Sequence, residues 1–143
     1  MTTETSITLP NVNDKVYVRG MLSRNNTSSN YTQFKMSGKI AASGNCNAIW
    51  NYEDLNAPLK EYCGYNMFQG CTSLTTTPEL PATTLTKGCY GQMFSSCSSL
   101  TTTPALPATT IAPSCYFNMF NNCTSLTTAP ELPATTLAER CYQ

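Results

Sequence analysis

Residues Cys63-Gly-Tyr-Asn-Met67-Phe68-Gln-Gly-Cys71-Thr-Ser-Leu74 decide the fold, because the chain writes them twice more. The copies are Cys89-Tyr-Gly-Gln-Met93-Phe94-Ser-Ser-Cys97-Ser-Ser-Leu100 and Cys115-Tyr-Phe-Asn-Met119-Phe120-Asn-Asn-Cys123-Thr-Ser-Leu126. Met67, Met93 and Met119 fall 26 residues apart, and each unit closes on a tail such as Pro78-Glu-Leu80-Pro81-Ala-Thr-Thr-Leu85. A fixed period of this size marks a solenoid, in which a unit buries its apolar side only by stacking on its neighbours. Fourteen of the 26 positions are identical in all three units and twelve vary. The variable ones bunch at 64–66, 69–70 and 86–88 and their equivalents, which reads as the freedom that solvent allows.

Within a unit, Leu85, Cys89, Met93 and Cys97 recur at steps of four, with Phe94 beside Met93. That spacing predicts a short helix or a pair of 3₁₀ turns with one face inward. Leu100-Thr-Thr-Thr, bounded by Pro104, suits a short β segment, because threonine is β-branched and proline cannot continue a ladder. The expected fold class is therefore an α/β repeat solenoid: a leucine-rich-repeat-like right-handed stack, one short strand and one short helical or 3₁₀ segment per 26-residue repeat, with a β-rich N-terminal cap.

Outward from the array, residues 1–45 lack the repeat and read as the cap. Val16-Tyr17-Val18 is a candidate strand ending at Gly20, 21–30 a Ser/Asn-rich loop, and Tyr31, Phe34, Met36 and Ile40 a second β-like run that covers the first repeat. Residues 46–62 read as a degenerate transition repeat, with Cys46-Asn-Ala-Ile49 a worn copy of Cys71-Thr-Ser-Leu74. Residues 63–143 hold three repeats and the start of a fourth. The period puts the next Met two residues past Gln143, so the expectation is a fragment of a longer array, or a last repeat completed by another chain.

Composition narrows the function. Lys plus Arg equals Asp plus Glu, at 8 each, and only 11% of residues are charged, which argues against a nucleic-acid groove. Histidine is absent, removing the commonest general acid–base group and metal ligand, so no enzyme and no cofactor are expected. The start has no basic and apolar signal-peptide regions, and no run is long enough to insert in a membrane.

The run Cys-Tyr-x-x-Met-Phe-x-x-Cys-Thr-Ser-Leu-Thr, followed by Leu-Pro-Ala-Thr-Thr-Leu, resembles the BspA-like leucine-rich repeats of surface proteins from gut Bacteroides-type bacteria. It is also similar to repeats in mycoplasma surface lipoproteins and in proteins of phages infecting such bacteria. The likeness covers about 59–143, and Lys35 to Gly44 looks like the lead-in to such arrays. What it implies is attachment: a non-enzymatic adhesion module at a cell surface or virion, with a host or neighbouring-cell protein or glycan, or other virion proteins, as partner. A structural spacer or fibre component that self-associates through the open C-terminal repeat end is the alternative.

Three sets of side chains are candidates for chemistry. Eight cysteines form columns, Cys63, Cys89, Cys115, Cys141 and Cys71, Cys97, Cys123, with Cys46 near the second. Buried free thiols, disulfides and zinc are the three readings; the short paired knuckles of structural zinc sites are missing, so no metal site is assigned. Stacking would align Thr75, Thr76, Thr77, Thr101, Thr102, Thr103, Thr127 and Thr128 into a candidate ligand-facing hydroxyl array, or leave them as ordinary exposed strand residues. Tyr90 and Tyr116 form either a surface aromatic stripe or partly buried packing.

Overall fold

The computed structural model describes residues 10, 11, 14–18, 27–29, 31–51 and 53–143. Over 61–70, 87–96 and 113–122 the backbone is a run of tandem turns and not a helix. Its hydrogen bonding alternates. Odd-numbered amides close turns inside the unit: Cys63 to the Lys60 carbonyl, Tyr65 to Tyr62, Met67 to Gly64, Gln69 to Asn66 and Cys71 to Phe68. Even-numbered amides reach the following unit: Tyr62 to Lys87, Gly64 to Cys89, Asn66 to Gly91, Phe68 to Met93 and Gly70 to Ser95. The same two patterns recur one period on, from Cys89 to Cys97 and from Gly88 to Ser96. Ser114, Tyr116 and Asn118 donate in turn to Glu139, Cys141 and Gln143.

Steps of four arise because every fourth residue takes a left-handed φ. These residues are Tyr62, Asn66, Gly70, Gly88, Gln92, Ser96, Ser114, Asn118, Asn122 and Arg140. Tyr62, Asn66 and Gly70 each stand third in a turn closed by the next cysteine or methionine, the place where a type II turn takes Gly or Asn. A helix of 3.6 residues per turn would drift off a strict step of four. The turns do not drift, so Cys63, Met67 and Cys71 all point inward.

The core is a set of columns. Phe34, Phe68, Phe94 and Phe120 stack with centroids 5.3, 5.5 and 5.9 Å apart. Leu74, Leu80, Leu85, Leu100 and Leu106 are buried with the methionines and cysteines around them. Trp50, Tyr90, Tyr116 and Tyr142 make a second aromatic column at 6.1, 6.0 and 5.5 Å. Trp50 explains why the first unit has Gly64 where the others have tyrosine. The indole takes that place in the column and donates Nε1–H to the Cys63 carbonyl at 2.9 Å. A Cβ on Gly64 would meet the Cys89 carbonyl oxygen at 2.8 Å and Tyr90 Cδ1 at 3.0 Å.

Residues 31–46 lie along the first unit. Phe34, Ile40, Ala42 and Cys46 donate to the carbonyls of Met67, Ser73, Thr76 and Glu79. Strand β1, Ile40–Ala41, pairs in parallel with β2, Leu74–Thr76. Cys46 thus aligns with the Leu80 position, where the sequence reading had aligned it with Cys71, and Cys46–Ile49 is a 3₁₀ turn capped by the Asn45 side chain. The expected strand is not formed over Leu100–Thr103. Val16-Tyr17-Val18 is exposed and has no regular structure, so the cap is not β-rich among its described residues. Most of the expected 21–30 loop lies outside the described residues.

Candidate recognition surface

The threonine hydroxyls differ in what they meet. The Thr75 and Thr76 hydroxyls are spent on the neighbouring coil, donating to the Ile40 carbonyl at 3.2 Å and the Ala42 carbonyl at 3.0 Å. Thr77 is half-buried, and Thr101 and Thr102 are exposed. Thr103 lies with Thr127 and Thr128 in an open depression of about 340 Å³, lined also by Phe120, Leu126, Ala129 and Pro130.

Tyr90 and Tyr116 are corrected outright: they are 1% and 4% exposed and belong to the inner aromatic column, so neither faces a ligand. Burial pushes both phenols up, with the nearby thiols adding to the shift.

All eight cysteines are free and buried. The Cys71, Cys97 and Cys123 thiols donate to the carbonyls of Phe34, Phe68 and Phe94, one coil back, at 3.2, 3.1 and 3.0 Å. Desolvation pushes Cys97 and Cys115 up to about 12, and burial, with the neighbouring Cys63 thiol adding to it, raises Cys89 well above its ordinary value. Such groups stay protonated near neutrality and are poor nucleophiles, since the thiolate is the reactive form. Among the described residues no cluster of three or more His, Cys, Asp or Glu could hold a metal ion.

A different cluster emerges on positions that vary between units. Tyr65 stands edge-on to Tyr31, with centroids 5.9 Å apart, and to Tyr62, at 5.6 Å. Gln92 Nε2 donates to Tyr65 Oη at 2.7 Å, and Gln69 Nε2 donates to Gln92 Oε1 at 3.2 Å. Gln33 Nε2 donates to the Gln69 carbonyl at 2.9 Å. The rings rest on glycines of the next coil. A Cβ on Gly88 would meet Tyr62 Cδ1 at 2.5 Å, and one on Gly91 would meet Tyr65 Cδ2 at 2.8 Å. Farther along the same row the positions equivalent to Tyr65 and Tyr62 hold Phe117 and Arg140, with the guanidinium 5.5 Å from the ring centroid.

Sequence reasoning missed this cluster because it read variation as freedom. The available signal was the exchange of bulk for glycine one period apart, Tyr62 against Gly88 and Tyr65 against Gly91. Gly64, Asn66, Gly88 and Gly91 are buried, so several variable positions are set by their neighbours and not by solvent. No family model, no curated protein and no solved structure matches the chain.

Proposed function

We propose that this chain is a leucine-rich-repeat-like solenoid acting as a non-enzymatic recognition module, which binds a protein or glycan at a bacterial cell surface or on a virion. One observation carries the reading. A stack built from near-identical units presents one patch that does not repeat, the half-buried Tyr31, Tyr62 and Tyr65 linked through Gln69 and Gln92. A mere spacer has no need of such a departure, whereas aromatic side chains with polar tips are favoured at binding surfaces. The resemblance to BspA-like repeats points the same way, and the protonated, buried thiols leave little for a nucleophilic enzyme to use.

The test is retention of fluorescently labelled chain on intact gut bacteria and cultured epithelial cells. Wild type is retained, and a Tyr62→Ala/Tyr65→Ala chain loses about tenfold or more; equal retention of the two overturns the reading. A second reading, assembly through the far side of the third unit, is favoured by Leu132 and Leu137, which are 47% and 66% exposed where Leu106 and Leu85 are 5% and 3%. It predicts a defined oligomer in light scattering, dispersed by Leu137→Lys.

A further inference from the structure

We propose that Tyr31, Tyr62 and Tyr65, with Gln69 and Gln92, form a subsite for a neutral oligosaccharide chain. The inference rests on the recognition reading above and names the ligand class of that patch. Its first support is the unused hydrogen-bonding capacity of the cluster. Tyr65 Oη accepts from Gln92, which leaves its own proton to donate. Gln69 uses its amide nitrogen on Gln92, which leaves Oε1 to accept, and Gln92 keeps a second amide proton. Among the described residues none of these groups meets a further side-chain partner. Donors and acceptors therefore alternate beside aromatic rings, as a vicinal pair of sugar hydroxyls requires.

The second support is charge. All five side chains are neutral, so none of them offers a charge to a sulfated or uronic-acid polymer. The third is shape. Tyr62 and Tyr65 meet at 78° and Tyr31 and Tyr65 at 63°, so the rings form a walled corner and not a flat strip. With centroids 5.6 and 5.9 Å apart the rings touch edge to face, so each holds its neighbour's orientation. A sugar ring would pack its C–H face on one ring while its hydroxyls reach the amides. Gly88 and Gly91 hold the corner in place, since any side chain there would displace Tyr62 or Tyr65.

The experiment titrates the whole chain with cellohexaose, mannohexaose and chitohexaose, with a hyaluronan octasaccharide as the charged comparison, reading heat and the ring resonances of Tyr62 and Tyr65. At least one neutral hexasaccharide saturates and shifts those resonances, while the hyaluronan does not. Tyr65→Phe, which keeps the ring and loses the hydroxyl, weakens binding several-fold, and Tyr65→Ala weakens it about tenfold; Trp50 fluorescence reports that each variant is folded. Failure of all three neutral sugars to move either resonance overturns the proposal. Cell retention separates the two levels of the argument. If retention depends on Tyr62 and Tyr65 but survives periodate oxidation of the cell glycans, recognition stands and the saccharide class falls. If retention ignores both tyrosines, the recognition reading itself falls.

Discussion

The inner columns and the tyrosine-bearing outer row are built from the same turns yet obey opposite rules. Inward, like stacks on like: Phe94 lies between Phe68 and Phe120, the cysteines and methionines repeat without change, and so do Leu74, Leu100 and Leu126. Along the outer row large meets small, with Tyr62 over Gly88 and Tyr65 over Gly91. Identity is what a column needs, because every coil fills an equal slot. Exchange of bulk is what allows one coil to lean on the next and leave a patch that occurs once. Identity along the phenylalanine, cysteine and methionine columns therefore goes with packing, and variation along the outer row goes with a surface that occurs once.

The sharpest way to break the comparison is to hollow a column. Phe94→Ala removes a fully buried ring with aromatic neighbours on both sides and should cost about 3–5 kcal/mol, a large part of the usual stability of a domain. Urea denaturation followed by Trp50 fluorescence measures it. A cost below about 1 kcal/mol would mean that the columns do not carry the stack.

Next in size is a pair of equivalent leucines two repeats apart. Leu85→Ala, buried under the following coil, should cost about 2–4 kcal/mol. Leu137→Ala, mostly exposed, should cost less than about 0.5 kcal/mol. Equal costs would contradict the claim that burial comes from the next coil.

The outer row is tested by a double-mutant cycle. Gly88 has φ +61°, so Gly88→Ala imposes a left-handed alanine, at about 1 kcal/mol, and drives its Cβ into the Tyr62 ring. Removing the ring relieves only the second part. The cost of Gly88→Ala should be smaller in a Tyr62→Ala background than in wild type, with a coupling of about 0.5–2 kcal/mol. Simple additivity would show that ring and glycine are not in contact.

A further effect is expected on pH. Burial raises the Cys97 and Cys115 thiols above their unfolded value of about 8.5, so the unfolded chain loses protons first as pH rises. Stability is fully present below that value and declines as pH climbs from about 8.5 toward 12. The urea midpoint should hold flat from pH 6 to 8 and fall by pH 10. A midpoint that rises over that interval would contradict the sign.

Much of this architecture could be read directly from the sequence. The period followed from Met67, Met93 and Met119, and the inward residues followed from their invariance. The local backbone was harder, because a step of four resembles a helix until the left-handed positions are noticed. Asn66 with Gly70, and Asn118 with Asn122, are spaced by four and carry that signal. The threonine hydroxyls were not legible, since their use depends on carbonyls of Ile40 and Ala42 supplied by a segment outside the repeat. Nor was the tyrosine cluster, whose supporting glycines sit a full period ahead of the rings they hold.

The most direct test of the account measures stability and retention together on the Tyr62→Ala/Tyr65→Ala chain. The prediction is a loss of less than about 1.5 kcal/mol in urea, as befits half-buried side chains outside the columns, with retention on cell surfaces falling about tenfold or more. Retention unchanged, or a stability loss as large as that of Phe94→Ala, would show the tyrosines to be packing and would contradict the assignment of this face to recognition.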